Sequence, residues 1–194
     1  ECTGPVEVRW VGDPALGQRG LFASRAVPAG ELLMVARPLA QAKSSGEPLQ
    51  EAMRRACRVS PLARRRLACL SDGSGQTLPP NVVMETLGTG TDEAPPPEEV
   101  GREPHDQLNL AGIINTNVFS MRGWAAVYGL PSILNHSCDG RGASAMKLVV
   151  VFLDGYMVFR AARDVAAGEE LCHRYFDAEG PLRARRAESA KWGF

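Results

Sequence analysis

The chain has 194 residues and is 44% hydrophobic, which suffices for one domain with a buried core, with or without a sizeable insertion. No apolar run approaches the roughly 18 residues of a membrane span, and the first residues lack the basic-then-apolar pattern of a secretion signal. Because 22 basic residues balance 22 acidic ones, net charge does not draw the chain to nucleic acid or membrane.

The cysteines predict the compartment. There are five of them, an odd number, and no two form a Cys-x-x-Cys pair. This pattern favours buried free thiols in a reducing environment over a disulfide framework. We therefore expect an intracellular protein of the nucleus or cytoplasm.

The first 40 residues predict short strands. Val6–Trp10 alternates apolar and polar residues with period two, as a half-buried strand does. Residues 21–23 form a second apolar run, and Pro28-Ala29-Gly30-Glu31 predicts a turn into a strand at 32–35.

The next segment predicts helices. Residues 49–70 carry apolar positions at helical spacing, and Ser60-Pro61 is typical of an N-cap with a first-turn proline, so two short helices should divide there. The segment also contains six arginines, at positions 54, 55, 58, 64, 65 and 66. We favour a solvated helix surface over a nucleic-acid face, because no aromatic residues are interleaved for base stacking.

Residues 88–107 are rich in Gly, Thr, Pro and acidic residues and contain almost nothing apolar. Such a segment cannot bury enough surface to offset the entropy of ordering, which predicts a mobile surface loop. Apolar segments lie on both sides, so the loop is predicted as an insertion within one domain.

The last part of the chain returns to a globular pattern. It predicts a helix at 108–118, a hairpin of 147–153 and 156–161 around Asp154-Gly155, and a C-terminal helix at 181–191. Residues 165–171 repeat the turn-then-strand pattern of residues 26–33. Composition and periodicity together predict a mixed, mostly β domain.

The segment "SILNHSC" (132–138) leaves three interpretations open. A zinc site needs about four ligands, but His136 and Cys138 have no second Cys or His at the usual spacing, and His105 and His173 are far away in sequence. Cys138 as a nucleophile with His136 or His173 as base lacks a following helix N-terminus to lower the thiol pKa. The third interpretation is a structural histidine bonded to backbone groups.

Five motifs in order carry a family resemblance: "GQRGLFASRAVPAGELL" (17–33), "NTNVF" (115–119), "SILNHSC" (132–138), "AARDVAAGEELCHRYFD" (161–177) and "RRAESAKWGF" (185–194). Together they resemble the SET domain, the fold of S-adenosylmethionine-dependent protein-lysine methyltransferases. Within that family the chain is most similar to the SET-and-MYND branch, without a MYND finger because the cysteine pairs are missing.

The resemblance implies an α+β fold that is mostly β with inserted helices, in which small β-sheets surround a knot-like core. It implies a single SET domain over residues 1–194 that divides into four parts: an N-terminal part at about 5–40, a helical and mobile insertion at about 41–107, a C-terminal core at about 108–178, and the start of a post-SET helix at about 179–194.

The resemblance also implies the chemistry, which is transfer of methyl groups from S-adenosylmethionine to a lysine amine of a histone or another protein, with a role in chromatin. Tyr175 matches the catalytic tyrosine that closes the lysine channel. The matching cofactor-binding residues are Arg19, Gly20, Leu21, Asn117, Ser132, Asn135, His136 and Phe194. We predict no metal within the chain, since zinc would require a Cys-x-Cys tail after residue 194, with Cys138 as a ligand. A protein substrate is expected, without a membrane and without direct nucleic-acid binding.

Two departures from the family pattern favour other functions. Gln18 stands where the family has glycine, and Asp139-Gly140-Arg141-Gly142 replaces the usual x-Pro-Asn. Both lie on the predicted cofactor side, so the main alternative is a non-catalytic SET module that binds protein partners. A third alternative is a nucleic-acid-associated factor that uses the arginines of residues 54–66.

Overall fold

The computed structural model describes residues 2–88, 108–121, 123–137, 148–153, 155–176 and 181–192. Within them the chain forms eleven strands: β1 (Cys2–Thr3), β2 (Val6–Trp10), β3 (Arg19–Ala23), β4 (Leu32–Ala36), β5 (Pro38–Lys43), β6 (Val118–Met121), β7 (Trp124–Tyr128), β8 (Asn135–His136), β9 (Leu148–Leu153), β10 (Tyr156–Ala161) and β11 (Glu170–His173). They pair into three small sheets, in the orders β1-β4-β10-β9, β2-β3-β11-β8 and β5-β7-β6.

Five α-helices accompany the sheets in the same described part: α1 (Leu49–Val59), α2 (Pro61–Ala68), α3 (Pro80–Gly88), α4 (Leu110–Asn117) and α5 (Leu182–Trp192). Together with the sheets, they confirm the predicted α+β fold. The predicted division between α1 and α2 is also confirmed, because the Ser60 hydroxyl accepts a hydrogen bond from the Ala63 amide and Pro61 occupies the first turn. Helix α3 was not predicted, and Gly88 ends that helix instead of beginning a loop. The rest of the predicted mobile loop, 89–107, lies outside the described residues.

The core joins the sheets to the helices. Its fully buried side chains include Leu21 of β3, Leu33 of β4, Phe159 of β10 and Leu171 of β11. The predicted hairpin is confirmed, since β9 and β10 pair antiparallel and Gly155 adopts a φ of 86° between them.

The six helical arginines do not all form a solvated surface as predicted. Arg54 and Arg58 pair with Glu51 on α1 in the expected solvated manner. Arg66 is instead only 4% exposed, and its Nε donates to the Thr86 carbonyl at 3.3 Å. This bond ties α2 to α3, because a buried guanidinium needs acceptors that water cannot supply.

The helical segment is fastened to β3 by hydrogen bonds to backbone carbonyls. The buried Arg19 guanidinium donates to the carbonyls of Cys69 at 2.9 Å and Leu78 at 3.1 Å. The Thr77 hydroxyl donates to the Gly17 carbonyl at 2.8 Å. Residues 69–78 therefore lie directly against the entry to β3.

Two turns of similar sequence, one before β4 and one before β11, bind each other reciprocally. Val27 and Val165 exchange amide-to-carbonyl bonds, both of 2.9 Å. Two further pairs of backbone bonds match each other in the same way. In the first pair, the Gly30 amide donates to the Ala161 carbonyl at 2.7 Å and the Gly168 amide to the Ala23 carbonyl at 2.8 Å. In the second pair, the Ala161 amide donates to the Glu31 carbonyl and the Ala23 amide to the Glu169 carbonyl, both at 2.9 Å. The repeated sequence pattern thus forms an approximate twofold arrangement that holds the N-terminal strands to the C-terminal ones.

The described cysteines are free thiols. Cys69 and Cys172 are buried, Cys57 is half-buried, and Cys2 is exposed, contrary to the prediction that the thiols are buried. Among the helices in the described ranges, none is long and apolar enough to cross a membrane.

The turn before β4 yields a prediction. Gly30 is exposed with a φ of 85°, and a Cβ at this position would meet nothing within 4 Å, so an alanine there meets backbone strain without a clash. Gly30→Ala should lower the free energy of unfolding by about 1 kcal/mol in urea titrations. Gly46→Ala is the matched control, because Gly46 is exposed at a turn without a positive φ, and equal losses in both variants would contradict the prediction.

Candidate functional site

The site is built on the pairing of β8 with β11. The two strands run parallel, with Asn135 opposite Cys172 and His136 opposite His173. The Ser137 amide extends the pairing by donating to the His173 carbonyl at 3.2 Å. The segment "LNHS" is thereby held against the segment "ELCHRY", although the two are far apart in the chain.

The Asn135 side chain crosses from β8 to β3. Its Nδ2 donates to the Arg19 carbonyl at 3.0 Å and to Glu170 Oε1 at 2.8 Å. Within the described ranges, Oδ1 of this amide has no hydrogen-bond partner. A Cβ on Gly20 would approach Glu170 Oε1 to 2.6 Å and Asn135 Nδ2 to 3.0 Å, so this crossing requires glycine.

Tyr175 is fixed at both its backbone and its hydroxyl. Its hydroxyl donates to the Leu134 carbonyl at 2.7 Å, and its amide donates to His136 Nδ1 at 3.1 Å. Because Nδ1 accepts a bond, the proton of the neutral His136 ring lies on Nε2. Burial, together with the smaller effect of the charges of Cys172 and Glu170, raises the pKa of Tyr175 to about 12. The phenol is therefore neutral at physiological pH.

A cluster of aromatic rings surrounds Tyr175. Its ring lies 4.9 Å from that of His173 and 5.3 Å from that of His136. Phe176 stacks on His136 at 4.4 Å, and Phe119 of β6 stacks on His173 at 5.4 Å. All five side chains keep partial solvent exposure, so the cluster forms a wall that a ligand can reach.

Both histidines of the cluster are neutral at physiological pH. Burial lowers the pKa of His173 to about 4, the charge of His136 lowers it as well, and a bond to the Arg174 backbone offsets part of the effect. Burial also lowers the pKa of His136. The imidazole rings of His136 and His173 next to Tyr175 therefore carry no positive charge, and a ligand would meet neutral polar rings there.

The comparison with protein-family models gives a match to the SET domain over residues 18–176, which is most of the chain. The chain belongs to the SET domain family. That match includes β3, the Asn135-His136 segment, and Tyr175. The SET-and-MYND branch is not distinguished by this match. A search of the curated proteins gives no match.

Solved structures with similar folds share little sequence with this SET chain. Polycomb Repressive Complex 2 of Chaetomium thermophilum bound to GSK126 gives 15% identity and a TM-score of 0.45 over 97% of this chain. A ctPRC2 structure bound to S-adenosylmethionine gives 15% identity and a TM-score of 0.44 over 98% of this chain. This chain covers only 18% and 17% of those two. A Plasmodium falciparum protein assigned as a histone methyltransferase gives 8% identity and a TM-score of 0.43, covering 90% of this chain and 96% of that one.

The residues present fit S-adenosylmethionine. Its methionine part carries an ammonium, for which Asn135 Oδ1 offers an acceptor with no other partner in the described part of the chain. Its purine can pack against aromatic rings, and the stacked rings of His136 and Phe176 keep partial exposure. The lack of positive charge on the two histidines also suits a cationic sulfonium.

The structure brings five of the predicted site residues together, namely Arg19, Gly20, Asn135, His136 and Tyr175. Three others have their side chains occupied elsewhere. Asn117 Nδ2 donates to the carbonyls of Ser71 and Ile113. The Ser132 hydroxyl donates to the Tyr128 carbonyl. Leu21 is fully buried in the core. The side-chain donors of Asn117 and Ser132 are therefore committed to the protein, and Leu21 could contact a cofactor only through its backbone. Phe194 lies outside the described residues.

Three features of the site were not predicted as part of it. His173 and Glu170 contact predicted site residues, and Phe119 stacks on His173, but none of the three was predicted to bind the cofactor or the lysine. The only available signal was the position of Glu170 and His173 just before Tyr175 in one motif. Phe119 lies 54 residues before His173 and ends the motif at 115–119, but nothing in that motif indicates that its ring stacks on His173.

Cys138 was predicted as a zinc ligand only if a Cys-x-Cys tail follows residue 194. This cysteine lies outside the described residues. Among the residues that the structure does describe, no three His, Cys, Asp or Glu side chains converge as metal ligands.

The low pKa of His173 predicts a pH effect on stability. The ordinary pKa of 6.5 falls to about 4 in the folded chain, so between these values the unfolded chain binds a proton that the folded chain does not. The free energy of unfolding should therefore decrease as pH falls through this window, by up to about 3 kcal/mol from this residue. His173→Phe should remove this component, as measured by urea unfolding at pH 7 and pH 4. Parallel pH profiles of the two proteins would contradict the prediction.

Proposed function

We propose that this SET chain transfers methyl groups from S-adenosylmethionine to a lysine side-chain amine of a protein substrate. The observation that carries the proposal is the pair of hydrogen bonds that joins Tyr175 to the segment of Asn135 and His136. One element thus holds the acceptor suited to the cofactor, and the same element fixes the hydroxyl suited to the substrate amine.

The Tyr175 hydroxyl is suited to orient an amine rather than to deprotonate it. Its proton is committed to the Leu134 carbonyl, and its pKa of about 12 keeps it from acting as a phenolate. A phenol oxygen also carries acceptor lone pairs, which suit an N–H of the incoming amine. Burial strengthens this contact, because the competing water is reduced.

When bound, S-adenosylmethionine supplies a methyl group on a sulfonium sulfur, so that a C–N bond forms as the S–C bond breaks and the thioether leaves. The amine must arrive deprotonated, with its lone pair in line with that methyl group. Positioning is therefore the main task of the protein, and a fixed hydroxyl next to a fixed cofactor segment performs it. No strong general base is needed, because the attack disperses positive charge.

The finer features of the proposal rest on sequence resemblance. They are a place near the SET-and-MYND branch, a histone or another lysine-bearing protein as the substrate, a role in chromatin, and residence in the nucleus or cytoplasm. Since Polycomb complexes and a histone methyltransferase are among the similar solved structures, histones are the first substrates to test.

Two measurements test the proposed function. The protein is incubated with methyl-labelled S-adenosylmethionine, core histones and cell-extract proteins, and cofactor affinity is measured by calorimetry. Label transfer with saturable cofactor binding is expected. Absence of both would overturn the proposal and favour a non-catalytic SET module, to which the departure at Gln18 points.

Tyr175→Phe tests the hydroxyl directly. The variant keeps the ring and its neighbours but loses the oxygen, so kcat should fall at least about 100-fold while the cofactor Kd changes less than about threefold. Steady-state kinetics and calorimetry give the two values.

Tyr128→Phe is the matched control for this change. Tyr128 is also buried, its pKa is also raised to about 12 by burial, and its hydroxyl donates to the Gly155 carbonyl at 2.6 Å, away from Asn135 and His136. This variant should lose stability but keep kcat within about threefold. If Tyr128→Phe lowered kcat as much as Tyr175→Phe, removal of any buried tyrosine hydroxyl would explain the loss, and the role of the Tyr175 hydroxyl would be contradicted.

A further inference from the structure

We propose that Lys43 and Trp124 form a subsite for the carboxylate of an acidic residue close to the target lysine in the substrate. The inference rests on the proposed function and names the class of protein substrate that the site takes, which is a lysine in an acidic segment. Continuity with the candidate site and charge complementarity are the two observations that carry it.

The sheet β5-β7-β6 extends the aromatic cluster of the candidate site. Phe119 of β6 and Gln41 of β5 are both opposite Ala126 of β7. Lys43 is opposite Trp124, two residues away on the same two strands. Cross-strand partners share a face and every second residue of a strand returns to it, so these side chains lie on one face of the sheet. Trp124 therefore stands in the row next to Phe119, roughly 7–8 Å away by the usual diagonal spacing.

The side of Tyr175 from which the substrate arrives is determined by the cofactor. In-line transfer requires the amine to approach the methyl group from the side opposite the sulfur. The stacked rings of His136 and Phe176, which suit the purine, form one end of the aromatic cluster. Phe119 forms the other end, through its stacking on His173. A substrate that approaches opposite the cofactor therefore passes Phe119 and meets the sheet face beyond it.

The polar groups of the subsite suit an anion. Lys43 is exposed, and its ammonium lies 5.2 Å from the centroid of the Trp124 ring. In the part of the chain that the structure describes, no carboxylate pairs with this ammonium, and the indole N–H of Trp124 donates to no acceptor. Trp124 is also 37% exposed. A cation and an N–H donor on one face are complementary to a carboxylate, and the indole ring can pack on the methylene groups that carry it.

Backbone bonds hold the two side chains of the subsite together. In addition to the strand pairing, the Ser44 amide donates to the Gly123 carbonyl at 2.9 Å, which joins β5 to the turn before β7. Since paired strands carry both Lys43 and Trp124, little backbone order has to be gained when a substrate binds.

The spacing limits where the acidic residue stands in the substrate. A lysine side chain that reaches Tyr175 past Phe119 leaves its own backbone near the sheet face. An extended chain advances about 3.3 Å per residue, so a carboxylate about two to four positions from the target lysine can reach Lys43.

The first test determines which lysines are methylated. The wild-type chain is incubated with deuterium-labelled S-adenosylmethionine and cell-extract proteins, and labelled lysines are located by mass spectrometry. We expect Asp or Glu within about four positions of labelled lysines at least about threefold more often than around unlabelled lysines of the same proteins. Methyl transfer without this enrichment would overturn the inference while leaving the proposed function standing. Absence of any transfer would overturn both.

The second test reverses the charges of the pair. With a peptide of the most enriched sequence, Lys43→Glu should raise KM about tenfold, while kcat, the cofactor Kd and the thermal unfolding temperature stay unchanged. Replacing the acidic residue of the peptide by lysine should bring the KM of this variant to within about threefold of the wild-type value. Trp124→Phe, which keeps a ring but loses the N–H, should raise KM about threefold.

Arg58→Glu is the matched control, because it makes the same change of charge on α1. That helix packs against the other face of β5, where Ala42 is buried, and Arg58 pairs with Glu51. This variant should change KM less than about twofold. An equal rise of KM in Arg58→Glu, or a lysine-substituted peptide that Lys43→Glu uses no better than the acidic one, would overturn the inference.

Discussion

The parallel pairing of β8 with β11 is the constraint on which the candidate site depends. It involves only two residues on each strand, too few to be stable alone. Side chains complete it: Asn135 reaches the Arg19 carbonyl on β3, and Tyr175 bonds both Leu134 and His136. Loss of this short contact would remove the backbone pairing that holds the acceptor suited to the cofactor beside the hydroxyl suited to the amine.

The same constraint connects the site to the helical segment. Arg19 offers its backbone carbonyl to Asn135 and its guanidinium to the carbonyls of Cys69 and Leu78. Arg19 is therefore hydrogen-bonded to β8 through its backbone and to the segment after α2 through its side chain. Since backbone carbonyls accept these bonds, the two bonds do not depend on which side chains stand at positions 69 and 78.

Local features were predictable from sequence because each has a local cause. Ser60-Pro61 divides α1 from α2 through a cap and a fixed φ, and Gly155 closes a hairpin through a positive φ. Resemblance to known motifs led to Asn135, His136 and Tyr175. Contacts between distant segments were not predictable in this way. Arg66 is buried because α3 covers it, and His173 stacks on Phe119 only when β6 and β11 lie together, so neither contact has a local sequence pattern. These residues show that tertiary packing, rather than propensity, determines their surroundings.

The reciprocal turns have a consequence for how the protein is made. A ribosome releases residues 23–31 well before residues 161–169, which hold the partners of their backbone bonds. Helices α1 and α2 need only local bonds and can form meanwhile, whereas β3 and β4 can pair early with β2 and β1 but must wait for β11 and β10 on their other edges. Apolar strands with an unpaired edge are prone to aggregate, so the order of synthesis leaves these edges open to aggregation until β10 and β11 are made.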